Sequence, residues 1–502
     1  MTLHTARSLP ADLAQARRVL VAGAGVSGRG CARVLDRLNL EVTIADDNPQ
    51  ARQQALADCG ARATGMNTAE AMAFAADGQI DLVVTSPGWR PDSPLLTAYR
   101  DAGVEIIGDV ELAYRLDSTG TFGAPRQWLV ITGTNGKTTT TGMLAAIMQA
   151  DTSRTGRRAV PVGNIGVSVF DAIQDNDRVD VLVAELSSFQ LHWASQLRPD
   201  VGVLLNLAED HLDWHGSFDN YAADKAKVMH GGIAIAGADD AHVMELVACA
   251  RQSGDLAAQV YSFTSQTPQA GQVGVKGGRI IARLDGEDLD LVSADGVEPA
   301  GLAGVLDACA AAAAGLAAGA SREAVEAGLA AYHVAGHRGA VVHRHGGVSF
   351  IDNSKATNPH AADAALEGLD RVIWLAGGQL KGADVSQLVA THADQLKAAV
   401  VLGVDRQLVA RTLSSHAPQV PVTVLDEPDP QAAMDAAVAA AWQHAEAGDT
   451  VLLAPAAASL DMYTGMAQRG DFFAAAARAL TEQSAHDAAQ DAGEDHEEKP
   501  AQ

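Results

Sequence analysis

The feature that most constrains this chain is the repeated alternation of short apolar runs with helical stretches. Runs of Val, Ile and Leu recur at Val19 to Ala22, Val42 to Ala45, Leu82 to Val84 and Glu105 to Ile107, each separated by helix-like sequence. Such alternation implies βαβ units and a parallel sheet. A Gly/Pro-bearing stretch, Ser118 to Pro125, interrupts the pattern and reads as a linker. A second series starts at Trp128 to Thr132 and includes Val181 to Ala184 and Val201 to Leu205. Within it, Val273 to Leu284 reads as a hairpin about Gly277-Gly278, and helical runs from Leu302 to Tyr332 close the series. A third follows Gly336, with a hairpin in Ala340 to Ile351 about His345-Gly346-Gly347, then Val372 to Leu375, Ala399 to Leu402, Val422 to Leu425 and Thr450 to Leu453. Three tandem α/β domains are expected, which agrees with 502 residues at about 150 per domain.

Charge narrows the ligands. Lys and Arg number 36 against 62 Asp and Glu, a net charge of −26. A surface this acidic repels phosphate backbones, so no nucleic-acid partner is expected and any polyphosphate must be gripped locally. The four cysteines, Cys31, Cys59, Cys249 and Cys309, have no CxxC spacing and read as reduced thiols of a cytoplasmic protein. The first residues lack the apolar stretch of a signal peptide. Leu302 to Gly319 is the most apolar later run, but its Ala/Gly content and Asp307 favour a packed internal helix over a membrane span. The last 22 residues hold seven acidic residues and one Lys, so a disordered acidic tail is expected over 481–502.

Two glycine-rich turns carry the chemistry. Gly23-Ala24-Gly25-Val26-Ser27-Gly28 follows the first strand and opens a helix, and Asp46 ends the second strand. Glycines at this spacing let backbone N–H groups approach a diphosphate at a helix N-terminus. The pattern supports a diphosphate more than it identifies a nicotinamide, and a tight turn with no ligand stays open. Thr132-Gly133-Thr134-Asn135-Gly136-Lys137-Thr138-Thr139 also lies between a strand and a helix. Ile131 occupies the place of the first glycine of a strict Walker motif, yet the cradle is chemically sufficient. Its N–H groups suit phosphates, Lys137 the β/γ charge and the Thr138 hydroxyl Mg²⁺. The fold class expected is therefore α/β, with an N-terminal Rossmann-like domain, a central P-loop ATPase-like domain and a C-terminal Rossmann-like domain.

Glu185 ends the run VLVAE, and Asn206-Leu207-Ala208-Glu209-Asp210-His211-Leu212-Asp213 follows the next strand. The carboxyl ends of strands in an open α/β sheet form the ligand crevice, so Glu185 and His211 should converge on the phosphate loop as Mg²⁺ ligands. A capping or core role for His211 remains open, and Asp213 and His215 read as residues of a solvated loop.

Together, GTNGKTT, ELSSFQL, NLAEDHLD with Tyr221 and Lys225, GHR at Gly336 to Arg338, DNSKATNP from Asp352, and LAPAAASLDMYTGMAQRGDFF from Leu453 resemble the Mur ligases of peptidoglycan synthesis. The resemblance spans all three domains. GAGVSG, Thr85-Ser86-Pro87-Gly88, Gly163-Asn164-Ile165-Gly166 and Gly377-Gly378-Gln379-Leu380-Lys381-Gly382 are most similar to the D-glutamate-adding member. It implies an ATP-dependent, amide-forming ligase acting on UDP-N-acetylmuramoyl-L-alanine and D-glutamate, with ATP and Mg²⁺, as a cytoplasmic monomer without membrane attachment. The implied domains are 1–121 for the UDP substrate, 122–335 for ATP and 336–480 for the amino acid.

The resemblance also implies roles. Gly133, Thr134, Asn135, Gly136, Lys137, Thr138 and Thr139 would hold ATP with Arg338, Asn353 and Lys355. Thr138, Glu185, His211 and Lys225 would hold metal, Lys225 as a carbamylated lysine. Gly25, Val26, Ser27, Gly28 and Asp46 would hold the uridine diphosphate and Asn164 the muramoyl arm, while Thr357, Lys381 and Ser459 would bind D-glutamate. Lys137, His211, Lys225 and Lys355 would be catalytic. Three departures stand out. Ala303-Gly304-Val305-Leu306-Asp307 replaces the family's HNxxN pattern, Asn353 stands where an Asp often precedes SK, and Ala457 replaces a common cysteine. The alanine-adding member and a degenerate nucleotide sensor are the alternatives.

Overall fold

The computed structural model describes residues 16–494 apart from 76, 285, 287, 335 and 368. It contains three sheets. The first joins β1 (Arg18–Ala22), β2 (Glu41–Ala45), β3 (Thr64–Met66), β4 (Leu82–Thr85) and β5 (Glu105–Gly108) in the order β3-β2-β1-β4-β5. All its pairings are parallel. Because β1 has β2 on one side and β4 on the other, the chain reverses direction across the sheet at β1. The turns after β1 and β4 therefore face a crevice.

The second sheet joins β6 (Gln127–Thr132), β7 (Ala159–Gly163), β8 (Val181–Glu185), β9 (Val201–Leu204), β10 (Ile233–Gly237), β11 (Gln259–Phe263), β12 (Gln272–Lys276), β13 (Arg279–Arg283) and β14 (Leu289–Ser293). Their order is β14-β13-β12-β11-β10-β9-β6-β8-β7. Here β6 lies between β8 and β9, so the phosphate loop, Glu185 and the loop after β9 leave the same edge of the sheet. The expected glycine hairpin is present, with Lys276 opposite Arg279 across Gly277-Gly278.

The third sheet joins β15 (Ala340–His345), β16 (Val348–Asp352), β17 (Val372–Gly377), β18 (Leu396–Leu402), β19 (Val422–Val424) and β20 (Thr450–Leu453) in the order β15-β16-β20-β17-β18-β19. Only the β15–β16 hairpin is antiparallel within it.

The chain divides into two compact units, one built from residues through 294 with 307–332, the other from 295–306 with 333 onward. The first and second sheets thus share a unit. Their junction is held by a buried ion pair, Arg126 Nη1 to Asp117 Oδ1 at 2.5 Å, with Trp128 Nε1 donating to Asp117 Oδ2 at 2.9 Å. One apolar core, including Leu35, Ile44, Phe170 and Leu182, runs through both layers. The helix Leu302–Ala317 from residue 307 onward and the helix Arg322–Ala331 belong to this unit as well, and residues 308–314 have no exposure. Gly328 lets the helix Arg322–Ala331 approach the helix Lys137–Ala150 closely, since a Cβ on Gly328 would strike the backbone of Ile147. Among the described residues no helix is long and apolar enough to cross a membrane.

One expectation is corrected. The last helix runs Met466–Glu494, so residues 481–494 are helical rather than disordered. The segment is rich in Ala, Glu and Gln, which favour helix, and it extends a helix already nucleated by packed turns. The remaining tail, 495–502, lies outside the described residues.

Candidate active site

In the second sheet the chain leaves β6 through Gly133 to Gly136 and enters the helix Lys137–Ala150. Gly136 is left-handed at φ +78°, and its Cα lies against Asp307, where a side chain would collide with the carboxyl group. The loop is ordered from the neighbouring strand. Asn135 N–H donates to Asn206 Oδ1 at 2.8 Å, Thr134 N–H to Asn206 O at 3.0 Å, and Ala208 N–H to Thr134 Oγ1 at 2.9 Å. Lys137 Nζ folds back to Gly133 O at 2.9 Å and Thr134 O at 2.7 Å, which places its charge over the turn. Thr138 and Thr139 occupy the first helical turn.

A cavity of about 620 Å³ opens beside this loop, lined among others by Lys137, Asn164, Asp210, His211, Tyr221 and Lys225. Lys225 is 2% exposed, an unusual place for an ammonium. Its Nζ reaches Gly133 O at 2.7 Å and Thr132 Oγ1 at 3.3 Å and sits 4.9 Å from the centre of the Tyr221 ring. Burial, then the nearby charge of Lys137, pushes its pKa well below the ordinary lysine value. The Tyr221 hydroxyl in turn shares a hydrogen bond with Thr134 Oγ1 at 2.8 Å.

Glu185 ends β8 with 1% exposure. Its Oε1 accepts from Asn164 Nδ2 at 2.8 Å, while Oε2 is buried with no hydrogen-bond partner. A buried carboxylate oxygen without a donor is costly unless a cation completes it. His211, at the start of the short helix Leu212–His215, is left-handed at φ +52° and packs its ring 4.7 Å from Phe189. A lone carboxylate oxygen, an accessible imidazole and a threonine hydroxyl beside a phosphate cradle suit a hard divalent cation such as Mg²⁺.

Around the first sheet the residues divide between two openings. Val26 and Ser27 line the cavity just described, and the Ser27 hydroxyl donates to Asp109. Gly25 and Asp46 instead line a second cleft with Gly23, Ser86, Trp89 and Arg90. Asp46 Oδ2 accepts from Ala24 N–H at 2.7 Å, so a carboxylate already engages the glycine turn. Gly28 is buried, and a Cβ there would collide with the Gly23 carbonyl; it closes the turn by close packing.

In the other unit, His337 is left-handed at φ +68° and its Nδ1 lies 2.7 Å from Asp352 Oδ2. Arg338 follows in the same turn, and Lys355 N–H donates to His337 O at 3.0 Å. Asp352 also accepts from Ser354 N–H at 2.9 Å through Oδ1, while Asn353 N–H pairs with Leu453 O at 2.8 Å. The carboxylate beside the SK pair is therefore committed to holding two turns together. Arg469, on the last helix, grips the same loop through Ser354 Oγ at 2.9 Å and Ser354 O at 2.8 Å. The next residue, Gly470, is where a side chain would strike His337 and Asp352. Thr357 lies just beyond this loop. Lys381 is left-handed at φ +54° after β17, and Ser459 is buried after β20. The antiparallel bridge between Gln379 and Ala458 brings these last two segments together.

Models of three domains match in chain order: the Mur ligase MurD-like N-terminal domain over residues 17–108, the Mur ligase middle domain over 131–299, and the Mur ligase glutamate ligase domain over 337–457. The chain is 56% identical over 463 residues to the UDP-N-acetylmuramoylalanine--D-glutamate ligase of Corynebacterium diphtheriae, covering 92% of this chain and 95% of that one. The enzymes of the same name from Corynebacterium efficiens and Mycolicibacterium smegmatis are 54% and 47% identical, covering 91% and 93% of this chain and 94% and 98% of theirs. The chain belongs to the Mur ligase family.

Two features of this Mur ligase escaped the sequence. His215, read as a solvated-loop residue, is 7% exposed; its Nδ1 lies 3.1 Å from Asp224 Oδ2 and its Nε2 3.0 Å from Ser188 Oγ. The flanking aromatics Trp214 and Phe189 were the available signal, because they bury the loop. Asp307, at the end of the departed HNxxN segment, is not a bystander: it accepts from Thr140 Oγ1 at 3.1 Å behind the phosphate loop. Burial raises its pKa well above the ordinary value of 3.8.

Proposed function

We propose that this Mur ligase joins D-glutamate to UDP-N-acetylmuramoyl-L-alanine in the cytoplasm, with ATP and Mg²⁺, through an acyl phosphate. The observation that carries this reading is identity above 50% along nearly the whole chain to ligases that bear that name.

A carboxylate and an ammonium do not condense in water without activation. The terminal carboxylate of the UDP substrate attacks the γ-phosphorus of ATP, the bond to the bridging oxygen breaks, and ADP departs. The deprotonated amine of D-glutamate then attacks the acyl carbon, and the tetrahedral adduct collapses with loss of phosphate. Such phosphoryl transfer asks the protein for position and charge neutralisation. The loop residues Gly133, Thr134, Asn135 and Gly136, the side chains of Lys137, Thr138 and Thr139, and Arg338, Asn353 and Lys355 are proposed for ATP. Thr138, Glu185, His211 and Lys225 are proposed to hold Mg²⁺, which when bound offsets repulsion between phosphate and carboxylate. Gly25, Val26, Ser27, Gly28, Asp46 and Asn164 are proposed for the UDP substrate, and Thr357, Lys381 and Ser459 for D-glutamate.

Lys225 is proposed to be carbamylated. Addition of the neutral amine to CO₂ forms a C–N bond and releases one proton, turning a base into an anionic oxygen ligand. Its buried position, and the burial that lowers its pKa well below the ordinary lysine value, support this reading by favouring the neutral amine that adds to CO₂. Mass spectrometry under CO₂ and partial rescue of Lys225→Ala by acetate check this; full activity in that variant would sink it.

The function is tested by phosphate release from ATP with UDP-N-acetylmuramoyl-L-alanine and each candidate amino acid. D-Glutamate alone should trigger it. Release with L-alanine on UDP-N-acetylmuramate instead would assign the alanine-adding reaction.

A further inference from the structure

The candidate ligands Glu185 and His211 each lie just before a short helix and Lys225 lies on a third, and these three helices meet at one side chain that does not line the cavity. Asp224 lies on the helix Phe218–Ala226, one residue before Lys225. Its Oδ2 accepts from His192 Nδ1 at 2.8 Å and His215 Nδ1 at 3.1 Å. Its Oδ1 takes Lys227 Nζ at 2.9 Å. His192 ends the helix Ser188–His192, which begins three residues after Glu185. His215 ends the helix Leu212–His215, which begins just after His211. Each element that leads from a proposed ligand thus terminates on the same carboxylate.

We propose that Asp224 is a positioning residue that fixes Glu185, His211 and Lys225 relative to one another, so that the divalent cation meets a preformed ligand set. Charge-assisted hydrogen bonds are about twice as strong as neutral ones, and here three converge where the Asp224 side chain is only 10% exposed. Lys227 also donates to Leu191 O at 2.8 Å and His192 O at 2.9 Å, tying the end of the first helix to the third. His215 passes the constraint toward the cavity, since its Nε2 accepts from Ser188 Oγ, and Ser188 lines that cavity. Outer-shell partners of this kind set ligand direction, and their loss typically weakens metal binding about 10- to 100-fold.

His192, His215 and Asp224 could be taken for a metal site of their own, because their ligand atoms lie within 4.8 Å of one another. Both imidazole Nδ1 atoms already point at one oxygen and an ammonium occupies the other. A cation would have to displace Lys227 from contact distance.

The inference rests on the proposed role of Glu185, His211 and Lys225, and the experiment separates the two. Mn²⁺ binding to the full chain with ADP is measured by electron paramagnetic resonance and calorimetry, alongside the Mg²⁺ concentration for half-maximal ligase activity. Asp224→Ala should weaken Mn²⁺ about tenfold or more and raise the Mg²⁺ requirement in parallel, with UDP-substrate affinity unchanged. Asp224→Asn, which keeps an acceptor oxygen, should fall between wild type and Ala. If Asp224→Ala does not fold, His192→Ala removes one of the three links from the more exposed side and should give a smaller loss of the same kind. Mn²⁺ affinity unchanged in these variants, while Glu185→Gln weakens it, overturns the inference alone. Unchanged affinity in Glu185→Gln overturns the metal reading beneath it. Stoichiometric zinc in the purified wild type that is lost with Asp224 would make the cluster a metal site and also overturn the inference.

Discussion

The two glycine-rich turns are the same device with opposite charge. Both follow a central parallel strand, open a helix and use a glycine where a side chain cannot fit. Beyond Gly23 the turn meets carboxylates: Asp46 accepts the Ala24 N–H, and Asp109 accepts the Ser27 hydroxyl. Its Arg29 is drawn away into a pair with Asp58 at 2.7 Å. Beyond Gly133 the turn carries the Lys137 ammonium over its own carbonyls. An acidic rim suits the hydroxyl donors of a ribose or amino sugar, whereas a cationic cradle suits the terminal phosphates of ATP. Glycine spacing gives the geometry of both turns and is silent on what each will bind.

The largest test of this contrast is Lys137→Ala. Removing the cradle's charge should lower kcat by about 10²- to 10³-fold. UDP-substrate binding, measured by calorimetry, should change less than about twofold; loss of both would show that the turns are not independent.

Glycine replacements sharpen the comparison through stability. Gly28→Ala forces a methyl against the Gly23 carbonyl, and no side chain can yield, so urea denaturation should show a loss of about 3 kcal/mol. At Gly136 the obstacle is the Asp307 side chain, joined to left-handed backbone strain of about 1 kcal/mol. Gly136→Ala should therefore be partly relieved by Asp307→Ala, and no relief would mean the backbone is the whole obstacle.

Asp46→Ala should raise the KM for the UDP substrate about tenfold, the worth of one charge-assisted hydrogen bond, and leave that for ATP in place. Tight NAD binding by the wild type, or equal effects on both substrates, would remove the distinction between the turns.

The smallest effect concerns Asp307. Below its ordinary pKa of 3.8 both folded and unfolded chains are protonated there. Above it the unfolded chain ionises while the buried group resists, so stability declines as pH rises until the folded group ionises too. Asp307→Asn removes that decline. Its melting temperature should exceed wild type at pH 8 and the gap should close toward about pH 4; a constant gap would mean that Asp307 is already charged when folded.

Much of this was legible beforehand because it is local. The Val/Ile/Leu runs became strands, and Gly277-Gly278 turned the hairpin between Lys276 and Arg279. The end of the last helix was not legible. Its composition resembles a disordered tail, but Ala-rich sequence continues a helix that packing of Phe473 and Ala477 has already started. The candidate site was legible as a set of residue types at strand ends. Asp224 was not, since an Asp on a short helix gives no sign that His192 and His215 will converge on it.

By itself the sequence determined where strands stop, where glycines let the backbone turn and which donors stand at those turns, because these depend on neighbours a few residues apart. Tertiary structure decided the surroundings of those donors. Lys225 lies 93 residues from Thr132 in the chain, and Asp307 lies 167 from Thr140. Only the fold brings each pair into contact and removes the water, which lowers the amine's pKa and raises the carboxyl group's.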